Sequence, residues 1–487
     1  MFKHKTVKKS LILLVAALMC VAVLLAACSE KPFTPVTKPD SGEIDSNGGI
    51  AVRYGEWIYY VNGYESSVNA DNTYVDVTGA PRVGSVVRIK AADLATILEI
   101  NDKDELTSTQ KSKDIAQAVR EKAETVVPKI YFSANTTNAY INGIHIFNDR
   151  IYILTPNEKL TANGDKQTNQ AVLMSFDLAG GDMQRHFTFA SNSVQLWLTE
   201  TSDKKVIATY LDGSELHVLE VAADEKGTDV ALKNGDDEVD TISSVTYDEQ
   251  AQCLFFIDGD GSICKLSLGS KDKDVIVNNA VEDGEDDSTL SYTIKSVSNG
   301  YVYFTRADSD NPDVDNLVLY YASSTDKVTK VGDEPKVALN TANVTAYGWV
   351  ENKVVIVRQI DSGYYGLYLI SNVDGSDPDT LLKAGFNADP ITINKIVGDE
   401  LYYTAGGVTY KKNLKTYSDQ ELGTPYATGW SMSASIGWAA PDVVTVGDKT
   451  YMFTLASGSV SVVEFDAVKK TNGTSTALTL TAKPNED

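Results

Sequence analysis

The sequence predicts an all-β fold, a β-propeller of repeated four-stranded blades. Three observations carry that expectation. A unit of about 45–50 residues recurs along the chain. The centre of each unit is a short run that is apolar on both faces. Tyr, Val, Ile and Thr, which favour strands, fill those runs.

The central runs read IYYV, IYIL, VIAT, LFFI, VYFT, VVIV, LYYT and TYMF. They begin at Ile58, Ile151, Val206, Leu254, Val302, Val354, Leu401 and Thr450 or Tyr451. Counted to Tyr451, the steps are 93, 55, 48, 48, 52, 47 and 50 residues. Runs apolar on both faces suit strands sandwiched between neighbouring sheets. Each has an earlier partner across a polar turn, as in HIFNDRIYIL, SVSNGYVYFT and KIVGDELYYT. Each also has a later partner, such as SVVRIKA, SICKLSL or VTYKKNL. Weaker fourth strands follow most of these, with DVIVNN at 274–279 and ALTLTA at 477–482 as examples. One such sheet cannot cover both of its faces, so the units pack in a ring. Eight central runs predict eight blades. Seven is the runner-up, if one terminal unit is incomplete and shared across the closure.

The first step spans nearly two periods. Within it, residues 104–127 lack strand alternation, and Ile115, Val119 and Ala123 recur every four residues with charges between them. Pro128 stops the run. This pattern predicts an amphipathic helix, read as a helical insertion at about 101–129 between blades one and two. The long hairpin tip at 62–84 is a second insertion. Insertions on a repeat scaffold often map to the binding face; the alternative for the helix is that it covers a blade edge.

The N-terminus carries an address. Lys3, Lys5, Lys8 and Lys9 precede the apolar run LILLVAALMCVAVLLAA at 11–27, the build of a secretory signal. The run has 17 residues, just below the ~20 that a spanning helix prefers. It ends in Leu25-Ala26-Ala27-Cys28, followed by the polar Ser29-Glu30. This resembles the lipobox of bacterial lipoproteins. The resemblance implies cleavage after residue 27 and a diacylglyceryl group on the Cys28 sulfur. Residues 28–47, rich in Pro, Ser, Asp and Gly, suit a flexible tether, and 48–487 would form the ring. The expected location is the extracytoplasmic face of a bacterial cell membrane, with the membrane as a partner through the N-terminal lipid.

The chain carries a formal charge of −24, which becomes −28 once the four signal lysines are removed. That acidity argues against nucleic acid and anionic lipid as partners. The apolar fraction of 43% is ample for a large core. Cys253 and Cys264 are the cysteines left in the ring, flanking CLFFIDGDGSIC, which reads as a hairpin. With Asp258-Gly259 as a two-residue turn, they sit directly opposite and a disulfide is possible. With all four residues of DGDG in the loop, they are no longer opposite.

Motif chemistry is sparse. His145, His186 and His217 fall in three separate strand segments, where local packing or hydrogen bonding is the expected role. No Gly-x-Ser-x-Gly elbow, His-Glu-x-x-His pair or P-loop occurs. No catalytic residue, cofactor site or metal site is assigned. Acidic segments at 234–240, 281–287 and 308–315 could supply oxygen ligands to calcium, with solvated loops as the plainer reading. Trp57, Tyr59, Tyr60, Tyr64 and Tyr74 gather in or near the first unit, where they pack between blades or stack on sugars.

One resemblance covers most of 48–470. The stretches GGIAVRYGEWIYYVN at 48–62, SNGYVYFT at 298–305, GLYLISNVDGS at 366–376 and VGDELYYTAGG at 397–407 carry it. They look like the β-propeller domain of Gram-positive surface lipoproteins known as domain of unknown function 5050. That domain is itself similar to the propeller of low-density-lipoprotein-receptor-related proteins. The resemblance implies a propeller and transfers no catalytic residue. Taken together, the expectation is a membrane-anchored extracellular lipoprotein whose ring is a non-enzymatic binding or scaffold module for a protein or glycan ligand. The alternatives are a surface glycan hydrolase using loop carboxylates, or a scaffold for envelope assembly.

Overall fold

The eight apolar runs become the second strands of eight antiparallel sheets, here numbered in chain order. The computed structural model describes residues 34–63, 85–127, most of 134–156, 170–281, 288–310, 318–370, 380–423 and 442–480, with short breaks inside these ranges. The second strands are Trp57–Val61, Arg150–Pro156, Val206–Asp212, Cys253–Asp258, Tyr301–Asp308, Lys353–Asp361, Glu400–Ala405 and Lys449–Ala456. Each lies between an earlier and a later strand, and a fourth completes the sheet. The fold is the all-β propeller of four-stranded units that the repeats predict.

The strand Cys253–Asp258 shows why the central runs are apolar throughout. Successive side chains point to opposite faces. Leu254 and Phe256 join Leu216 and Val218 of sheet three. Cys253 and Phe255 join Val302 and Phe304 of sheet five. Burying a phenylalanine fully is worth about 1.5–3 kcal/mol, so each second strand holds its sheet to both neighbours. The turns entering these strands are tight. Asn148-Asp149 and Asn299-Gly300 have positive φ at both positions, the backbone of the two-residue turns that match strand twist.

First strands of neighbouring sheets lie side by side. Ile242–Asp248, Leu290–Ser298, Val344–Val350 and Thr392–Val397 follow one another, and Ala51–Tyr54 adjoins Asp442–Val446. First strands therefore line the centre and fourth strands the rim. Sheets eight, one and two share one core, in which Tyr451 and Phe453 meet Ile58 and Tyr60 on one side and Ile146 and Ile151 lie on the other. The Tyr60 hydroxyl donates to the Leu478 carbonyl at 3.1 Å. The ring thus closes between the first and last sheets. The rim strand of sheet eight is split, with Thr471–Asn472 and Thr476–Ala477 both pairing with Ser459–Asp466.

The helical insertion lies one step earlier than the sequence suggests. Helices α1 (Ala91–Leu98) and α2 (Ser108–Lys122) join the third and fourth strands of sheet one, so they sit within that sheet and not between blades one and two. Thr107 and Gln110 form a capping box at the start of α2. The helix stops at Lys122 because Thr125, Val126 and Val127 are β-branched, and Glu124–Val127 pairs with Val86–Arg88 as the fourth strand. Leu94, Ile97, Ile115 and Val119 bury into the same core as Leu478 and Leu480. The Asn101 side chain reaches Thr476. The helices cover the seam where the ring closes.

Residues 36–49 are not a free tether. Val36 N–H donates to the Ala179 carbonyl at 3.0 Å, and Gly55 N–H to that of Glu43 at 2.9 Å. Ile44–Asp45 adds a fifth strand beside Arg53 and Tyr54. The Asp45 carboxylate accepts from Thr445 N–H at 2.8 Å in sheet eight. The Asn47 amide accepts from Ile146 N–H at 2.7 Å and donates to its carbonyl at 3.1 Å in sheet two. A Cβ on Gly42 would stand 2.3 Å from the Gly55 Cα, so this crossing requires glycine. The segment is a strap spanning sheets eight, one and two.

Candidate functional site

Each sheet is a simple meander, so its connections alternate between two ends. First-to-second and third-to-fourth connections leave from one end, called the turn end. Second-to-third connections, and those from one sheet to the next, leave from the other, called the loop end. The strap passes the Glu43–Gly55 contact at the turn end of sheet one, and α1 and α2 also leave from the turn end. Of the acidic segments, 235–236, 239–240, 282–287 and 311–315 lie outside the described residues. Residues 64–84 lie outside the described residues, Tyr64 and Tyr74 among them.

The strands lining the centre alternate between core and open positions. Gln195, Ser243, Ser291, Thr293, Lys295 and Thr392 are exposed on first strands. Half-buried Trp197 and Tyr247, on adjacent first strands, have ring centroids 6.2 Å apart. This inner wall offers hydroxyl and amide groups, one cation and aromatic surface. Such groups suit hydrogen bonding and stacking more than acid–base work.

The strap is fastened by Arg88, on the third strand of sheet one. Its guanidinium is fully buried. It pairs with Glu124 at 2.7 Å and donates to the Thr37 carbonyl at 2.6 Å and the Leu178 carbonyl at 3.3 Å. It also lies 4.0 Å over the Trp57 ring. Tyr59 donates to Leu178 O at 3.0 Å beside it. Of the first-unit aromatics, Trp57 is therefore a partner of the latch, and Tyr59 and Tyr60 are core.

A Ser–His pair that the sequence gives no sign of lies in sheet two. His186 Nε2 is 2.7 Å from Ser175 Oγ, and Nδ1 is 2.8 Å from the Ala222 carbonyl. A carbonyl only accepts, so Nδ1 carries the proton and the serine hydroxyl donates to Nε2. Arg150 Nε donates to the same hydroxyl at 3.0 Å, and its terminal nitrogens hold Asp182. Ser175 is 0% exposed and His186 3%. Burial pushes the imidazole below its ordinary value. The pair resembles a nucleophile and base but opens to no solvent; it ties three strands of sheet two to sheet three.

The remaining singled-out residues are also placed. Cys28 lies outside the described residues. Cys253 and Cys264 are free, buried thiols, so the possible disulfide is not formed. The hairpin loop is Gly259-Asp260-Gly261, closed by Gly261 N–H on the Asp258 carbonyl at 3.0 Å with Gly261 at φ +79°. That register sets Cys264 opposite Phe256 and Cys253 opposite Ser267. The Cys264 thiol donates instead to Asp258 at 3.2 Å, and Lys273 pairs with the same carboxylate. His145 stacks near Phe147, and His217 stacks on Tyr210. Among the described residues no group of three His, Cys, Asp or Glu side chains is placed to hold a metal ion.

No protein-family signature matches the chain, and no curated protein matches it. Solved structures do share likeness. A eukaryotic initiation factor matches with 9% identity and a TM-score of 0.40, covering 92% of this chain and 91% of that one. An oligogalacturonate lyase in complex with manganese matches with 11% identity and a TM-score of 0.37, covering 65% and 85%. Sqt1 of Saccharomyces cerevisiae matches with 10% identity and a TM-score of 0.34, covering 71% and 87%. At these scores the likenesses carry no argument about function.

Proposed function

We propose that this chain is an extracytoplasmic lipoprotein, held at a bacterial cell membrane by a lipid on Cys28, whose propeller is a non-enzymatic binding or scaffold module. Its ligand is a protein or glycan of the cell envelope. The observation that carries the reading is a division of chemistry inside the ring. Groups with catalytic potential, Ser175 with His186 and Cys264 with Asp258 and Lys273, are buried and satisfied by one another. The open inner wall carries hydroxyl and amide groups with Lys295, beside half-buried Trp197 and Tyr247. The resemblance of 48–62, 298–305, 366–376 and 397–407 to surface-lipoprotein propellers supports the same reading.

The test has two parts. Cys28→Ala should release the folded domain into the medium, whereas retention at the membrane would mean that the apolar run is the anchor. Soluble 29–487 protein should retain a ligand on a glycan array or in pull-down from envelope extracts, without product formation. Glycan turnover that disappears on changing one loop Asp or Glu would replace this reading with the hydrolase.

A further inference from the structure

We infer that the ring stands on the bilayer on its turn end and presents its loop end to the surroundings. The inference rests on the anchoring at Cys28 proposed above. Its first support is the strap. The chain is fixed to the ring from Val36 onward, by the Ala179 carbonyl and then by Arg88 through Thr37. Val36 lies eight chain steps after Cys28, a reach of at most about 26–29 Å fully extended. A domain of this size has a radius of gyration of about 22 Å. So short a link, leaving beside the third-to-fourth connection of sheet two, does not let the loop end turn to the membrane.

Surface chemistry supplies the second support. Met183 and Tyr417 are exposed by 62% and 47%, and both sit in third-to-fourth connections at the turn end. Lys204, Lys271, Lys330 and Lys415 are exposed there as well, among exposed carboxylates such as Asp182, Asp203, Asp272 and Asp333. Met183 is the most exposed large apolar side chain among the described residues, and such a side chain is suited to burial at a headgroup interface.

The experiment uses an environment-sensitive thiol dye and headgroup-spin-labelled lipid. Met183→Cys, Tyr417→Cys and, at the loop end, exposed Ser214→Cys are labelled separately in lipidated protein. The buried native thiols, with unsubstituted protein as control, set the background. On vesicles containing phosphatidylglycerol, the dye at 183 and 417 should be quenched several-fold more than at 214. Equal quenching, or more at 214, overturns the orientation. Flotation with vesicles, compared between native protein and Cys28→Ala, reports the anchor separately. The same three positions are also read in 29–487 protein held by an N-terminal hexahistidine tag on nickel-chelating lipid. That arm tests the orientation whether or not cells lipidate Cys28.

Discussion

The Asn62 side chain clamps the backbone of Leu480, donating to its carbonyl at 2.9 Å and accepting from its N–H at 2.8 Å. Asn62 is fully buried, and the two residues are 418 positions apart. Only a side-chain amide offers a donor and an acceptor in this spacing. Asn62→Ala strands two buried backbone groups, each costing about 1–3 kcal/mol. The urea midpoint should fall accordingly, and hydrogen exchange at 476–480 should rise most. Unchanged exchange there would remove the clamp from the closure.

Arg88 should hold the strap more than it holds sheet one. Removing Arg88 takes a donor from the Leu178 carbonyl, a loss of about 1–3 kcal/mol, and frees the Thr37 carbonyl, while Glu124, 38% exposed, is reached by solvent. Arg88→Met should raise hydrogen exchange at 36–45 well before global unfolding. Arg88→Lys should rescue little, because one ammonium cannot serve Glu124, Thr37 and Leu178 together. Pairing Arg88→Met with Glu124→Gln should recover part of the loss.

The thiols should be slow to react. Burial pushes the Cys253 thiol up to about 12 and the Cys264 thiol higher still. Thiolate is the reacting form, so folded 29–487 protein should show almost no thiol to a colorimetric disulfide reagent near neutral pH. Denatured, it should show both. No thiol after denaturation would mean that the disulfide forms after all.

His186 makes stability depend on pH in one direction. Its folded value lies below the ordinary 6.5 because burial disfavours the charged ring, with Arg150 adding to the effect. Below about 6.5 the unfolded chain takes up a proton that the folded chain resists, so stability falls as pH drops through that value. Above it, His186 contributes no pH dependence. His186→Gln should flatten the midpoint between about pH 7.5 and 5.5; an identical slope in both proteins would assign the effect elsewhere.

The second strands were legible because a strand between two sheets needs apolar residues on both faces, and runs such as LFFI and VVIV meet that need locally. The fourth strand Glu124–Val127 was hidden by a helical period that runs into it, and four residues give alternation little to show. The strap was hidden by its composition. Pro, Ser, Asp and Gly look unable to bury anything, yet Asp45, Asn47 and Gly48 dock through backbone groups on Thr445, Ile146 and Ile144. The cysteine register turned on one residue of loop length, which Asp258-Gly259-Asp260-Gly261 leaves open. The Ser175–His186 pair has no spacing signal, because a bulge between Leu173 and Met174 sets its register.

The Asn62–Leu480 clamp also has a meaning for the order of folding. Synthesis delivers sheet one long before residues 476–480, since Asn62 and Leu480 are 418 positions apart. Sheet one therefore waits, with Tyr60 and Asn62 uncovered, until that later segment is made. Contacts this distant in sequence form slowly. A chain lacking 476–480 would keep the strands of sheets one to seven and still expose that flank. Residues 476–480 thus act as a late check: until they dock on Tyr60 and Asn62, sheet one cannot hide its flank.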